Sequence, residues 1–282
     1  MDRFLDALSM MTDWETTAYL LQQPFVINAL LATALLGLLA GFIGPFIVLR
    51  QMSFSVHGTS ELALTGAAAA LLFSFDLGLG AILGSVIAAL IFGLLGRDRS
   101  RRDSAIGVTM AFGLGLAVLF IHLYPGRSGS SFALLSGQIV GVSDQSLARM
   151  AIVAAIIVGA IVILYRPLLF SSADPEVAEA HGVPIRAINL IFAVLVGLAA
   201  AQAVQIVGVL LVLALLITPA AAAATVARSP GASIGLTVAF ALTASVGGLV
   251  LSLAPGVPIS VFVTTISFII YLACRGIAGL RN

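Results

Sequence analysis

Two side chains that could hold a metal ion stand four residues apart in the stretch SFSVHGTSELALTG, which covers residues 53–66. They are His57 and Glu61, and the chain is apolar on both sides of this stretch. In a helix, residues four apart lie on one face, one turn above the other. An imidazole nitrogen and a carboxylate oxygen together suit zinc, manganese or iron(II), whereas calcium and magnesium prefer oxygen ligands throughout. The pair is therefore a candidate metal site.

A single copy of the pair supplies too few ligands, because a zinc ion in a protein usually takes about four. Two copies that face each other would supply two imidazoles and two carboxylates, enough for a shared site on a symmetric translocation pathway. The alternative is that His57 and Glu61 bond each other, or a Ser or Thr of a neighbouring helix, and only fix packing. Insertion scales put the cost of an acid in the middle of a membrane helix at a few kcal/mol. The position of Glu61 within a predicted span therefore favours the metal site.

The chain that positions this pair has the composition of a membrane protein. Of its 282 residues, 61% are hydrophobic and 9% are charged, whereas a soluble domain has roughly 25% charged residues. Apolar segments of about 20 residues are long enough to cross a hydrocarbon core of ~30 Å as helices. We predict an all-α, polytopic membrane helix bundle with eight or nine transmembrane helices. The predicted spans lie near residues 25–49, 54–75, 77–95, 105–124, 147–169, 187–205, 207–227, 233–254 and 258–278.

The distribution of arginine predicts the orientation of the bundle. All 13 cationic residues are arginine. With nine spans and the N-terminus outside, only Arg3, Arg127 and Arg149 lie outside and the C-terminus is cytoplasmic, which agrees with the preference of positive charge for the inner side. We expect residues 1–24 to form an N-terminal interfacial segment and residues 25–282 a single transmembrane domain. The inner arginines are then Arg50, Arg97, Arg99, Arg101, Arg102, Arg166, Arg186, Arg228, Arg275 and Arg281.

Several functions are excluded by what the sequence lacks. Without lysine it contains no G-x-x-x-x-G-K-[S/T] loop, so the chain does not hydrolyse nucleotides through one. It also has no H-E-x-x-H and no C-x-x-C motif. We predict a transport subunit without enzyme activity of its own, with no permanently bound cofactor and no nucleic-acid partner. Asp76 and His122, near the outer ends of their predicted spans, are further candidates for an outer metal relay.

The sequence around the pair is similar to a known signature. The stretch LRQMSFSVHGTSELALTGAAAALL, residues 49–72, resembles the signature region of the ABC-3 family, the membrane permeases of bacterial zinc and manganese importers. That family shows an Asp-x-x-x-His pair, and here His57 falls at the aspartate and Glu61 at the histidine. Thr65 also replaces a proline. The exchange keeps one nitrogen and one oxygen donor, and it leaves the identity of the metal open.

Two further regions carry the resemblance, which therefore covers most of the chain. FALLSGQIVGVS at 132–143 is similar to the family's Y-L-F-G-x-I-L-x-V-S motif. Residues 174–227 are similar to a block with A-x-x-x-G, then a span, then V-G-x-L-L-V-x-A-L-L-I-x-P-A-A. The resemblance implies the BtuC-like permease architecture. The matching residues are Ala178, Gly182, Val207, Gly208, Leu210, Leu211, Val212, Ala214, Leu215, Leu216, Ile217, Pro219, Ala220 and Ala221.

The start of this block predicts a short capped helix at about 174–185. Asp174 is a good N-cap, Pro175 suits the first helical position, and Gly182 supplies a C-terminal stop. Helix signals alone favour a segment that merely joins two spans. The resemblance implies instead a coupling helix, which docks on the ATPase subunit of an ABC importer. The candidate coupling residues are Asp174, Glu176, Ala178, Glu179 and Gly182.

The resemblance implies the transmembrane subunit of an ABC importer for manganese or zinc in the bacterial inner membrane, acting as a homodimer. Its expected partners are a cytoplasmic ATPase dimer, an extracellular or periplasmic metal-binding protein, a second copy of the chain and the lipid bilayer. One alternative is a secondary metal transporter that is driven by an ion gradient. Another is an ABC importer of a metal chelate, although a wide chelate cavity needs no metal-ligating pair such as His57 and Glu61.

Overall fold

The computed structural model describes residues 14–94, 99–125, 142–209 and 212–280, and these ranges contain helices and no strand. Seven of the helices, α2, α4, α5, α6, α9, α12 and α13, are long and apolar enough to cross a membrane. This confirms the predicted all-α membrane bundle. The helices are α1 (Trp14–Leu21), α2 (Pro24–Leu49), α3 (Ser53–Leu72), α4 (Leu77–Leu94), α5 (Arg99–Leu123), α6 (Asp144–Ile163), α7 (Tyr165–Ala173), α8 (Pro175–Ala180), α9 (Ile185–Val207), α10 (Val212–Leu216), α11 (Thr218–Val226), α12 (Pro230–Leu253) and α13 (Ile259–Gly279).

Two predicted spans differ from the observed helices. The span predicted at 147–169 is divided at Leu164 into α6 and α7. The span predicted at 207–227 is replaced by the short helices α10 and α11, which are separated at Ile217. Pro219 lies in the first turn of α11, where its missing N–H has no helical partner to lose. Residues 126–141, which hold most of the motif at 132–143, lie outside the described ranges.

Helix α3 is long enough to cross a membrane, but it is not among the apolar helices. Its 20 residues include His57, Glu61 and several hydroxyl side chains, and twelve of them are buried. Helices α4, α5 and α9 pack against it. Apolar neighbours thus cover most of the polar helix, and polar groups within a membrane require such cover.

Helices α3 and α4 cross at glycine residues. A Cβ atom added at Gly66 would collide with the carbonyl oxygen of Gly80, and one added at Gly84 would collide with the carbonyl oxygen of Leu62. Only glycine allows the two backbones to approach this closely. Gly80 and Gly84, which stand four residues apart on α4, therefore pack within the chain.

Gly37 and Gly41 of α2 pack in the same way against α12. Their nearest neighbours there are Ser245 and Val238. Both glycine pairs therefore join helices of one chain.

Polar contacts show which helix ends lie together. Arg50, which follows α2, donates hydrogen bonds to Ser172 in α7 and Asn189 in α9. Asp76, between α3 and α4, pairs with Arg149 near the start of α6. These contacts fit helices that cross the bundle in alternate directions from α2 to α6. We call the two ends of the bundle the Arg50 end and the Asp76 end.

Substitution of Gly84 tests the crossing of α3 and α4. Gly84→Ala is expected to destabilise the chain by about 1–3 kcal/mol, because the added methyl group collides with a backbone carbonyl. Gly115→Ala in α5 is the control, since a methyl group there meets no atom within 4 Å. Thermal unfolding in detergent should show a lower melting temperature for Gly84→Ala alone. Equal melting temperatures would contradict a tight crossing.

Candidate metal site

The predicted pair lies on one face of α3. The distance from His57 Nε2 to Glu61 Oε1 is 3.9 Å, which is too long for a direct hydrogen bond. Two donors that each lie about 2.1 Å from one metal ion can be at most about 4.2 Å apart. The separation therefore fits two ligands of a shared ion. The two atoms therefore form no direct hydrogen bond with each other, which was one form of the packing alternative.

Both side chains also hold a buried polar atom without a partner. His57 Nδ1 and Glu61 Oε2 have no hydrogen-bond partner in the described structure. The nearby hydroxyls are used elsewhere, since Ser60 donates to the carbonyl of His57 at 2.8 Å and Thr65 to the carbonyl of Glu61 at 3.0 Å. Leaving such atoms unsatisfied costs about 1–3 kcal/mol each. A cation held by Nε2 and by both carboxylate oxygens would offset the cost at Glu61 Oε2, while Nδ1 would carry the ring proton.

The described residues of one chain hold no group of three or more His, Cys, Asp or Glu side chains that could bind a metal. The pair thus contributes two donors to a shell that needs more. His57 lies four residues and Glu61 eight residues after the start of α3, which places them about 6 and 12 Å from the Arg50 end. The His57 side chain is 32% exposed and that of Glu61 is 11% exposed. The pair is therefore accessible from the surface of a single chain.

Asp76, a candidate for an outer relay, has an arginine partner. Its Oδ1 lies 2.5 Å from Arg149 Nη1 and accepts a hydrogen bond from the amide of Leu79 at 2.9 Å. The hydrogen bond from Arg149, with smaller contributions from backbone amides, lowers the pKa of Asp76 below its usual range. His122 is exposed on α5. Asp76 therefore forms an ion pair with Arg149 that joins the α3–α4 turn to α6.

A double-mutant cycle with Asp76→Asn and Arg149→Gln should give a coupling energy of roughly 0.2–1 kcal/mol, since both side chains are partly exposed. Because the pKa of Asp76 is lowered in the folded chain, the ion pair makes its full contribution to stability at any pH above the ordinary aspartate pKa, near 4. That contribution is lost only as the pH falls through the lower pKa of the folded state. Unfolding in detergent should therefore give the same coupling between about pH 5 and 8. A coupling that changes within this window would contradict the ion pair.

The short helix α8 has the caps that the sequence predicts. Asp174 Oδ1 accepts a hydrogen bond from the amide of Val177 at 3.0 Å, and Pro175 takes the first helical position. Gly182 follows the helix with φ of +83°, the left-handed conformation that favours glycine at this place. The capped helix is confirmed, while its docking role stays a prediction.

One side of α8 packs against the protein and the other is open. Ala178 is fully buried, and the His181 ring packs edge-on against Phe170 of α7 with 5.7 Å between centroids. His181 Nδ1 lies 2.8 Å from the carbonyl oxygen of Val177. His181 therefore packs against its own helix and α7. The exposed residues of the helix and its caps are Asp174, Pro175, Glu176, Val177, Glu179, Ala180, His181 and Gly182.

Arg50 is a residue that the sequence analysis used only to orient the chain. Its Nε donates to Ser172 Oγ at 2.8 Å, Nη1 to Asn189 Oδ1 at 2.8 Å and Nη2 to Ser171 Oγ at 2.5 Å. Its guanidinium carbon also lies 5.0 Å from the centre of the Phe192 ring. Arg50 therefore joins the α2–α3 turn to α7 and α9.

Comparison with known proteins agrees with this architecture. The profile of the ABC 3 transport family matches residues 22–276. The chain belongs to this family. The manganese transport system membrane protein MntC of Listeria innocua is 31% identical over 258 residues, which cover 90% of this chain and 92% of the relative. The manganese import system permease protein ScaB of Streptococcus parasanguinis is 31% identical over 252 residues, which cover 89% and 90%.

A solved structure extends the comparison to the fold. PsaBC from Streptococcus pneumoniae in complex with Fab matches with a TM-score of 0.83 at 32% identity, and the match covers 93% of this chain and 95% of that chain. The family resemblance and the permease fold are therefore confirmed. The chain is a multi-pass membrane protein of the ABC transport class, and His57 and Glu61 lie on α3, which is not among the seven apolar helices of the described ranges.

Proposed function

We propose that this chain is the permease subunit of an ATP-driven manganese importer in a bacterial cell membrane. The observation that carries the proposal is the pair of His57 and Glu61, with donors 3.9 Å apart and a buried unpartnered atom on each side chain. Manganese and zinc both accept such donors. Manganese is favoured because both relatives compared above are named for its transport.

A second copy of the chain would complete the site. One copy supplies two donors, whereas a homodimer with two α3 helices facing each other would supply four, with water for any remaining position. His57 is open to the surface, and Phe54, about one turn earlier on α3, is 40% exposed. An apolar ring beside an open imidazole favours a protein neighbour, which would cover the ring and add the second pair of ligands.

The Arg50 end is proposed to face the cytoplasm, because the arginines concentrate at this end. Helix α8 lies at the same end, and its open side would dock on a separate ATPase subunit that hydrolyses ATP. A metal-binding protein would deliver the ion at the Asp76 end. The chain itself would then supply the pathway, with no resident cofactor and no catalytic residue, and residues 1–24 would lie at the outer surface.

Uptake of manganese and zinc tests the metal pair. Vesicles that hold this chain, its ATPase and its binding protein should import manganese with ATP, and His57→Ala or Glu61→Ala should lower uptake by roughly tenfold or more, because each removes one of few donors. Ser60→Ala is the control, since its hydroxyl bonds only a backbone carbonyl among the described contacts and should leave uptake near that of the unaltered chain.

The outcomes separate the candidate functions. Normal uptake by both variants would show that the pair serves packing. Uptake that persists without ATP but stops when an ion gradient is removed would indicate a secondary transporter instead. Loss of zinc uptake with normal manganese uptake would overturn the choice of metal.

A charge on the open side of α8 tests the ATPase contact. Val177 is 41% exposed, and Val177→Asp is expected to lower the amount of ATPase that copurifies by roughly tenfold, because a charge replaces an apolar contact in the proposed interface. Leu280→Asp is the control, since Leu280 is 89% exposed and follows α13 at the same end of the bundle. Equal copurification with both variants would contradict docking through α8.

A further inference from the structure

Arg50 lies between the coupling helix and the helix of the metal pair. It follows α2 directly and precedes Ser53, the first residue of α3, by three positions. The turn between them is tightly bonded, since the amide of Met52 donates to the carbonyl of Ile47 at 3.0 Å. Gln51 takes a left-handed φ of +54° in this turn, which closes the end of α2 in the manner of a Schellman motif. A displacement of Arg50 therefore acts on the start of α3.

Among the described residues, the hydrogen bonds of the Arg50 guanidinium all go to neutral acceptors. These are the hydroxyls of Ser171 and Ser172, the side chain of Asn189 and, at 3.4 Å, the carbonyl of Leu168. Partial burial lowers the pKa of Arg50 to about 10, so the group is still charged at neutral pH. A partly buried cation that pairs with no carboxylate in the described structure adds little stability for the desolvation that it costs. We therefore expect the charge of Arg50 to serve a function other than stability.

The acceptors flank the coupling helix on both sides. Ser171 and Ser172 lie in the last turn of α7, just before the cap residue Asp174, and Asn189 lies early in α9. Helices α7, α8 and α9 follow one another with only short connections. A movement of α8 therefore carries these acceptors with it.

A cavity beside Arg50 leaves room for such a movement. It has a volume of about 180 Å³ and is lined by Arg50, Ser171, Ser172 and Asn189 together with Ser55 of α3. The Oγ atom of Ser55 is buried and has no hydrogen-bond partner among the described residues. The cavity thus leaves unfilled space between α3 and the acceptors of Arg50, which a small shift of these elements could fill.

We propose that Arg50 is a positioning residue that transmits the movement of α8 to α3, and so to His57 and Glu61. The inference rests on the proposed import function. When the ATPase moves α8, the acceptors in α7 and α9 pull the guanidinium, and the α2–α3 turn carries the first turns of α3 with it. His57, about one turn into α3, moves first.

The number of manganese ions imported per ATP hydrolysed tests this role in vesicles with the complete complex. Arg50→Gln and the double variant Ser171→Ala with Ser172→Ala should each lower the ratio by roughly fivefold or more. The serine variant keeps the charge, so it remains informative if Arg50→Gln does not fold. Arg275→Gln is the control, because Arg275 is exposed and bonds only the Tyr271 hydroxyl among the described contacts.

Combining Arg50→Gln with the two serine substitutions shows whether these residues act as one unit. The combined variant should import as many ions per ATP as Arg50→Gln alone, because the same link is already broken. If the combined variant imports fewer ions per ATP than Arg50→Gln alone, the proposal is overturned. A lower melting temperature with an unchanged number of ions per ATP would also overturn it, since that result would indicate a purely structural role for Arg50.

A second measurement does not depend on metal import. Cys274 is the single cysteine, so Cys274→Ala with Ser53→Cys places one spin label on the exposed first turn of α3. ATP should change the label's spectrum in the complex, and the two serine substitutions should abolish this change. An equal response with and without them would overturn the inference. The expected response in a complex that imports no manganese would instead overturn the proposed function.

Discussion

A helix that carries an imidazole and a carboxylate can cross a membrane only when other helices separate it from lipid. The whole bundle follows from this constraint. The glycines at Gly66 and Gly84 bring α4 against α3 without intervening side chains. Most hydroxyls of α3 bond to backbone carbonyls, as when Thr59 donates to the carbonyl of Ser55 at 3.0 Å. Three buried polar atoms of this helix lack a partner among the described residues, and two of them belong to His57 and Glu61, the proposed metal pair.

The helices that could be predicted from the sequence are those with long apolar runs, since length and hydropathy are enough to define a span. The breaks could not be predicted in the same way. Pro167 follows Leu164 and Pro219 follows Ile217, and a proline tends to kink or break a helix. The prolines indicate a break nearby but not its form, and the backbone shows that α6 ends before α7 and that α10 and α11 replace one long helix.

At the candidate site, too, the sequence predicts which residues share a helix face but not which atoms are in contact. The spacing of His57 and Glu61 was enough to place them on one face of a helix, but not to show that their polar atoms do not bond each other. For Arg50, the sequence offered one signal, its place inside the family-like stretch at 49–72. Its partners could not be inferred, because Ser171 and Asn189 lie 121 and 139 residues further along the chain and meet it only after the bundle has closed.

The modest hydropathy of α3 also has a consequence for how the chain is made. A segment with ionisable side chains near its middle partitions poorly from the translocation channel into lipid on its own. Its successor α4 is strongly apolar, begins only five residues after α3 ends and offers the glycine face that α3 requires. The two helices are therefore expected to leave the channel together as a hairpin. A nascent chain that stops at Leu72 would have no stable anchor for the helix that carries His57 and Glu61.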